Sequence, residues 1–210
     1  MAADEVVYLI DDDCGVRLSI GGLLASAGLQ LVSFASAADF LGNVRPGDAA
    51  CLILDLQLPG ISGLELQGKL ADEDSPPVIF ISGRSDVPST VQAMKAGAVE
   101  FLVKPISADV LLASVQAALA KDRLMRKQRD ELAGLRGRYS RLSHREREVL
   151  PLIVSGLLNK QSASVLGIAE VTLQVHRRQI MTKMEASSLA ELVRMATRLG
   201  IPLFSRDAGR

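Results

Sequence analysis

The sequence predicts an α/β domain with a five-stranded, doubly wound parallel sheet, joined to a second, all-α domain of four helices. Three observations lead there. Short apolar, β-rich runs alternate with longer helical patterns through the first half; residues 143–199 carry four short helical patterns; and charge divides between the halves. Residues 1–120 hold 15 Asp and Glu against 6 Lys and Arg, and residues 121–210 hold 9 against 18. A net −9 followed by +9 predicts one domain built around carboxylates and another suited to a polyanion, since clustered cations replace the counterions condensed on phosphate.

The alternation predicts strands over 6–10, 31–34, 51–55, 78–82 and 99–103, with helices near 15–27, 37–41, 63–70 and 87–96. Gly28 and Gly97 stand where helices stop. In such a sheet ligands sit beyond the carboxyl ends of the strands, so the residues there are the first functional candidates.

From Ser107 to about Leu142, Leu111, Leu112, Val115, Leu119, Leu124, Leu132 and Leu135 recur at mostly helical spacing, with Lys and Arg crowded in after Lys121. A fifth helix running into a charged linker is expected, weakened by Gly134 and Gly137. Ser143-His144-Arg145-Glu146 reads as a capping box that opens the next domain. The expected organisation is 1–120, a helical linker 121–142, and 143–210. No run of 18 apolar residues exists, and acids stand near Met1 where a signal peptide carries bases, so a cytoplasmic protein with no membrane partner is expected. Cys14 and Cys51 are too sparse for a disulfide framework or a zinc site and are expected as reduced packing residues.

Asp11, Asp12 and Asp13 follow the first strand and Asp55 ends the third. Carboxylates gathered in one small pocket repel unless a divalent cation neutralises them, and hard oxygen ligands favour Mg²⁺. Asp55 can then act as a nucleophile toward phosphorus, giving an acyl phosphate. Ser82 at the end of the fourth strand offers a hydroxyl donor, and Lys104 at the end of the fifth offers a positive charge.

The stretches Tyr8-Leu9-Ile10-Asp11-Asp12-Asp13, Leu54-Asp55-Leu56-Gln57-Leu58-Pro59-Gly60, Ile81-Ser82-Gly83 and Lys104-Pro105 resemble the flavodoxin-like receiver domain of bacterial two-component response regulators. The resemblance implies that Asp55 is the phosphoacceptor for a sensor histidine kinase. It implies that Asp12, Asp55 and the backbone carbonyl of Gln57 hold Mg²⁺, with Asp11 reaching it through water. Lys104 would pair with the phosphoryl group across a cis bond to Pro105, and Ser82 and Phe101 would form the switch. Thr is commoner in the family than Ser82, and Tyr is frequent where Phe101 stands. No turnover enzyme is expected beyond Mg²⁺-dependent autophosphorylation and slow self-dephosphorylation.

In the basic half, 159–166 reads as a short scaffold helix with Asn159 as cap and Gly167 as stop. The next helix starts near Glu170 and is expected to pack Val171, Leu173, Ile180 and Met184 while exposing a polar, basic face, the pattern of a helix that enters a major groove. Leu142-Ser143-His144-Arg145-Glu146-Arg147-Glu148-Val149-Leu150, Gly156, Asn159-Lys160, this helix and Leu189-Ala190-Glu191-Leu192-Val193 resemble the LuxR-type helix-turn-helix. Joined to a receiver, the chain resembles the FixJ/NarL class. By that resemblance Gln174, Val175 and Arg178 face base edges of double-stranded DNA, and Lys160, Thr172, Arg177 and Lys183 meet phosphate. Gln174 replaces a frequent Lys, Ser162 a usual apolar residue, and Ala169 a usual Ser or Thr cap.

Leu189, Leu192, Val193 and Ala196 on the last helix are expected either to meet a second copy, giving a homodimer when phosphorylated, or to pack on their own domain. RNA polymerase is a further partner that the class admits. Two rival readings remain at this point: a constitutive DNA binder with an inert receiver, and a Mg²⁺-dependent phosphatase. Gln57 opposes the second, because haloacid dehalogenase phosphatases resemble Asp-x-Asp and use the second carboxylate as general acid.

Overall fold

The computed structural model describes residues 5–42, 50–70, 75–83 and 87–204. Among these residues the chain divides into two compact units, Met1–Arg126 and Lys127–Arg210. The first unit begins with β1 (Val6–Ile10), α1 (Cys14–Ser26), β2 (Gln30–Phe34), α2 (Ala37–Leu41) and β3 (Ala50–Asp55). It continues with α3 (Gly63–Lys69), β4 (Val78–Ser82), α4 (Val87–Lys95) and β5 (Glu100–Val103). Helix α5 (Ala108–Ser140) follows, and the division between units falls inside it. Gly134 and Gly137 lie within this helix without ending it. The second unit adds α6 (His144–Val154), α7 (Asn159–Leu166), α8 (Glu170–Met184) and α9 (Leu189–Arg198).

The strands pair in parallel in the order β2-β1-β3-β4-β5. Successive side chains of a strand go to opposite faces, and both faces here are covered. Ala50, Leu52 and Leu54 join Tyr8, Phe34, Phe40, Leu66 and Phe80 on one face. Cys51 and Ile53 join Val7, Leu9, Ile20, Leu24, Leu111 and Val115 on the other. This two-sided burial is why β1, β3 and β4 read as near-continuous apolar runs.

The second unit closes around Leu135, Val149, Leu150, Ile153, Leu173, Ile180, Met184 and Leu192. Ser143 and Glu146 form the expected capping box of α6. Gly167, at φ 64°, makes the left-handed turn between α7 and α8, a conformation that glycine adopts without a Cβ clash. Ala169 stands at the cap of α8 with no side-chain hydrogen bond.

Three expectations are corrected, and for a fourth the structure selects one of two alternatives. Cys14 is exposed rather than packed, because it is the first residue of α1, which Asp13 caps by accepting from the N–H groups of Gly15 and Val16. Asn159 is the first helical residue of α7, not its cap; Gln161 Oε1 accepts from the Leu158 N–H, and Asn159 Oδ1 accepts from Arg177. Val171 is 72% exposed, since Leu173, Ile180 and Met184 define the buried stripe and Val171 lies about 200° around the helix from Leu173. Leu192 and Ala196 are buried in their own unit's core, so the apolar side of α9 is used by this chain itself.

Candidate functional site

The register builds the acidic pocket. Ile10 pairs with Leu54 and Asp55 with Ile81, so Asp11, Asp55 and Ser82 leave the sheet side by side at its carboxyl edge. Ser82 pairs with Val103, and the N–H of Lys104 donates to the Ser82 carbonyl at 2.8 Å, which adds the lysine to the row. The bond from Lys104 to Pro105 is cis.

Lys104 Nζ lies 2.7 Å from Asp11 Oδ2 and 2.7 Å from Asp55 Oδ2. The other oxygens are held by the backbone: Asp11 Oδ1 accepts from the Asp13 N–H at 2.8 Å, and Asp55 Oδ1 from the Gln57 N–H at 3.0 Å. Burial raises the Asp11 carboxyl above the usual range, even against the hydrogen bonds from Lys104 and Asp13. Burial alone would lower the Lys104 ammonium, but its bonds to the two carboxylates more than reverse this and hold it up. Carboxylate oxygens of Asp11, Asp12 and Asp55 all lie within 4.8 Å of one another. Asp12 is exposed, Asp11 and Asp55 are buried, and Ser82 is fully buried. Gln57 is exposed one step beyond Leu56.

Two residues outside the expected set shape this pocket. Arg17 on α1 donates to the carbonyls of Asp11 and Asp12, at 2.7 and 2.9 Å, and so ties down the loop that carries both acids. Gly63 packs against the end of β3 so closely that a Cβ there would stand 2.4 Å from the Asp55 carbonyl and 3.0 Å from Phe80. Phe101 is half-buried on β5 with its ring 6.2 Å from that of Phe80.

In the second unit Thr172, Gln174, Val175 and Arg178 are exposed on α8, and Lys160 is exposed on α7. Lys183 is instead engaged: its Nζ lies 2.7 Å from Glu146 Oε2, an ion pair between α8 and α6 whose carboxylate is only 5% exposed. Burial alone would raise Glu146, but hydrogen bonds from Lys183 and from the backbone and hydroxyl of Ser143 hold it below the usual glutamate range. Arg177 is half-buried against Asn159. Leu189 is at the exposed edge of α9, and Val193 packs partly on the core.

The family model of the response regulator receiver domain matches residues 7–116, and that of the bacterial regulatory proteins of the luxR family matches residues 140–196. Nodulation protein W of Bradyrhizobium diazoefficiens is 45% identical over 197 residues, covering 93% of this chain and 87% of that protein. The transcriptional regulatory protein FixJ of Azorhizobium caulinodans is 45% identical over 196 residues, covering 93% of each. The chain belongs to the FixJ/NarL class of response regulators. The solved structure of the response regulator StyR is similar, at TM-score 0.82 and 43% identity, covering 93% of this chain and all of that one.

This response regulator therefore combines a receiver with a LuxR-type DNA-binding domain, and a kinase and DNA are its partners. Among its relatives, FixJ of Azorhizobium caulinodans and DctR of Rhodobacter capsulatus are transcriptional regulatory proteins. Among the described residues no helix is long and apolar enough to cross a membrane.

Proposed function

We propose that Asp55 takes a phosphoryl group from a phosphohistidine of a sensor histidine kinase, and that its phosphorylation controls DNA binding by the second domain. The observation that carries this reading is the Lys104 ammonium held between Asp55 and Asp11 at the carboxyl edge of the sheet. A hydroxyl, Ser82, stands one strand away.

Three carboxylates converging around one point fit a hard divalent cation. Asp11, Asp12, Asp55 and the backbone carbonyl of Gln57 would hold Mg²⁺, which when bound offsets charge on the transferring phosphoryl oxygens. Asp55 supplies the attacking carboxylate oxygen: a P–O bond forms, the P–N bond to the donor imidazole breaks, and the imidazole keeps the electron pair. Lys104 then exchanges part of its pairing with the Asp55 carboxylate for the incoming phosphoryl group. Ser82 donates its hydroxyl to the same group, and Phe101 moves into the space that Ser82 leaves. The same residues support autophosphorylation from small phosphodonors and slow self-hydrolysis.

The receiver is assigned to 1–120, the connection to 121–142 and the DNA-binding domain to 143–210. The phosphorylated receiver pairs with a second copy, raising the effective concentration of one DNA-binding domain near the other. Gln174, Val175 and Arg178 read bases, with Lys160, Thr172 and Arg177 at the backbone. Lys183 meets phosphate only by sharing its charge with Glu146. Leu189 and the outer side of Val193 remain for a contact between copies. DNA as partner implies a cytoplasmic site of action, where RNA polymerase is within reach. Incubation with acetyl phosphate and Mg²⁺ tests the assignment: a hydroxylamine-sensitive phosphoryl group is expected on the wild type and none on Asp55→Asn. Equal labelling of both proteins refutes it.

A further inference from the structure

The exposed face of α8 holds two large apolar side chains that its packing does not use. Val171 is 72% exposed and Val175 is 54% exposed. They are four residues apart, so they lie one above the other on the helix, and Gln174 and Arg178, three and seven residues after Val171, complete the same stripe. All four side chains point away from Leu173, Ile180 and Met184, which are buried. A single exposed valine is ordinary on a protein surface. Two in register on a helix, flanked by a primary amide and a guanidinium, form a patterned surface.

A major groove offers one apolar feature at base edges, the C5-methyl group of thymine, and a T·A pair presents that methyl beside the N6 and N7 of adenine. The isopropyl groups suit the methyl, and the Gln174 amide suits adenine. We propose that Val171, together with Val175, makes this helix a reader of thymine methyl groups, so that Val171 is a specificity-determining residue for A·T-containing half-sites. This rests on the reading of α8 as the recognition helix given above. The pair would bury its apolar surface only on DNA, whereas the polar groups on the stripe stay satisfied by water in the free protein.

The test uses the full chain treated with acetyl phosphate and Mg²⁺, and a site enriched from random double-stranded DNA. Each thymine of the half-site is replaced in turn by deoxyuridine, which deletes the methyl and keeps every hydrogen-bonding group. Wild type is expected to lose about fourfold in affinity at one or two positions, the factor that burial of one methyl group corresponds to. Val171→Ser, whose side chain is exposed and whose thermal midpoint should match wild type, is expected to bind the thymine and deoxyuridine forms equally at one of those positions; Val175→Ser should do so at the other. Wild-type affinity indifferent to every deoxyuridine, or an unchanged penalty in both variants, overturns the inference and leaves DNA binding standing. Failure to enrich any site overturns the reading of the recognition helix and the inference with it.

Discussion

Asp122 Oδ2 accepts a 2.8 Å hydrogen bond from the backbone N–H of Ala50, the first residue of β3, 72 positions earlier in the chain. Asp122 is fully buried and the same oxygen accepts from Arg126 Nε at 2.6 Å. Arg123, next to it, pairs with Glu5 just before β1. The first turns of α5 beyond residue 120 are thus fastened to the edge of the sheet opposite the acidic pocket, at the start of the strand that ends on Asp55.

Asp122→Ala strands the buried N–H of Ala50 and removes the acceptor of Arg126 Nε, which should cost about 2–3 kcal/mol of receiver stability. Asp122→Asn keeps an acceptor for Ala50 and should lose less. Cys51, fully buried and with its thiol pushed up by burial and by the nearby Asp122 charge, is a local probe. In a Cys14→Ser background, thiol labelling during a urea titration should report the loss as a lower midpoint. An unchanged midpoint in Asp122→Ala contradicts the anchoring role.

The pair between Glu146 and Lys183 predicts an acid limb for the DNA-binding domain. The folded Glu146 carboxyl titrates below its unfolded value, so its stabilisation is complete above the usual glutamate range and disappears as pH falls through the lower, folded value. Thermal unfolding followed with probes in the second unit should be flat near neutrality and fall in that acid window. Glu146→Gln should flatten much of the limb, while Glu146→Ala should cost about 2–3 kcal/mol at neutral pH by leaving Lys183 without its partner. A wild-type profile identical to that of Glu146→Gln contradicts this assignment.

Ser162 is fully buried on α7, and its Oγ has no hydrogen-bond partner among the described residues. Removing an unsatisfied hydroxyl and substituting a better helix former should help, so Ser162→Ala is expected to gain about 0.5–1 kcal/mol. Calorimetry of the full chain measures it. A lower midpoint means that the hydroxyl is bonded in solution.

Much of the first unit was legible because its chemistry sits at strand ends. Strands buried on both faces announce themselves as apolar runs, and the residue after each run is therefore placed by topology, which brings Asp11, Asp55, Ser82 and Lys104 together from the sequence alone. Helical faces were less legible. Periodicity says that α8 has a buried side, yet Val171 and Leu173 are both apolar, and only packing against α6 and α7 chooses between them. Lys183 looked like a free cation because its partner, Glu146, lies 37 residues away and reads in sequence as a cap. Leu192 and Ala196 formed an apolar stripe that fits a second copy or the same domain equally well, and the need of a small domain for core decided it.

Gly63 offers a test of the pocket's geometry that leaves every charged group in place. Gly63→Ala puts a Cβ into the Asp55 carbonyl and the Phe80 ring, so α3 must move away from the end of β3. Acetyl phosphate labelling of Asp55 should fall at least tenfold, with about 2 kcal/mol lost in receiver stability. Wild-type labelling in Gly63→Ala contradicts the close approach.

The proposed control of DNA binding through Asp55 is measured directly by equilibrium binding of the full chain to an enriched DNA site. With acetyl phosphate and Mg²⁺, wild type should bind at least tenfold more tightly than without, and Asp55→Asn should show one unchanged affinity under both conditions. An equal gain in Asp55→Asn, or none in a wild type shown to be phosphorylated, contradicts it.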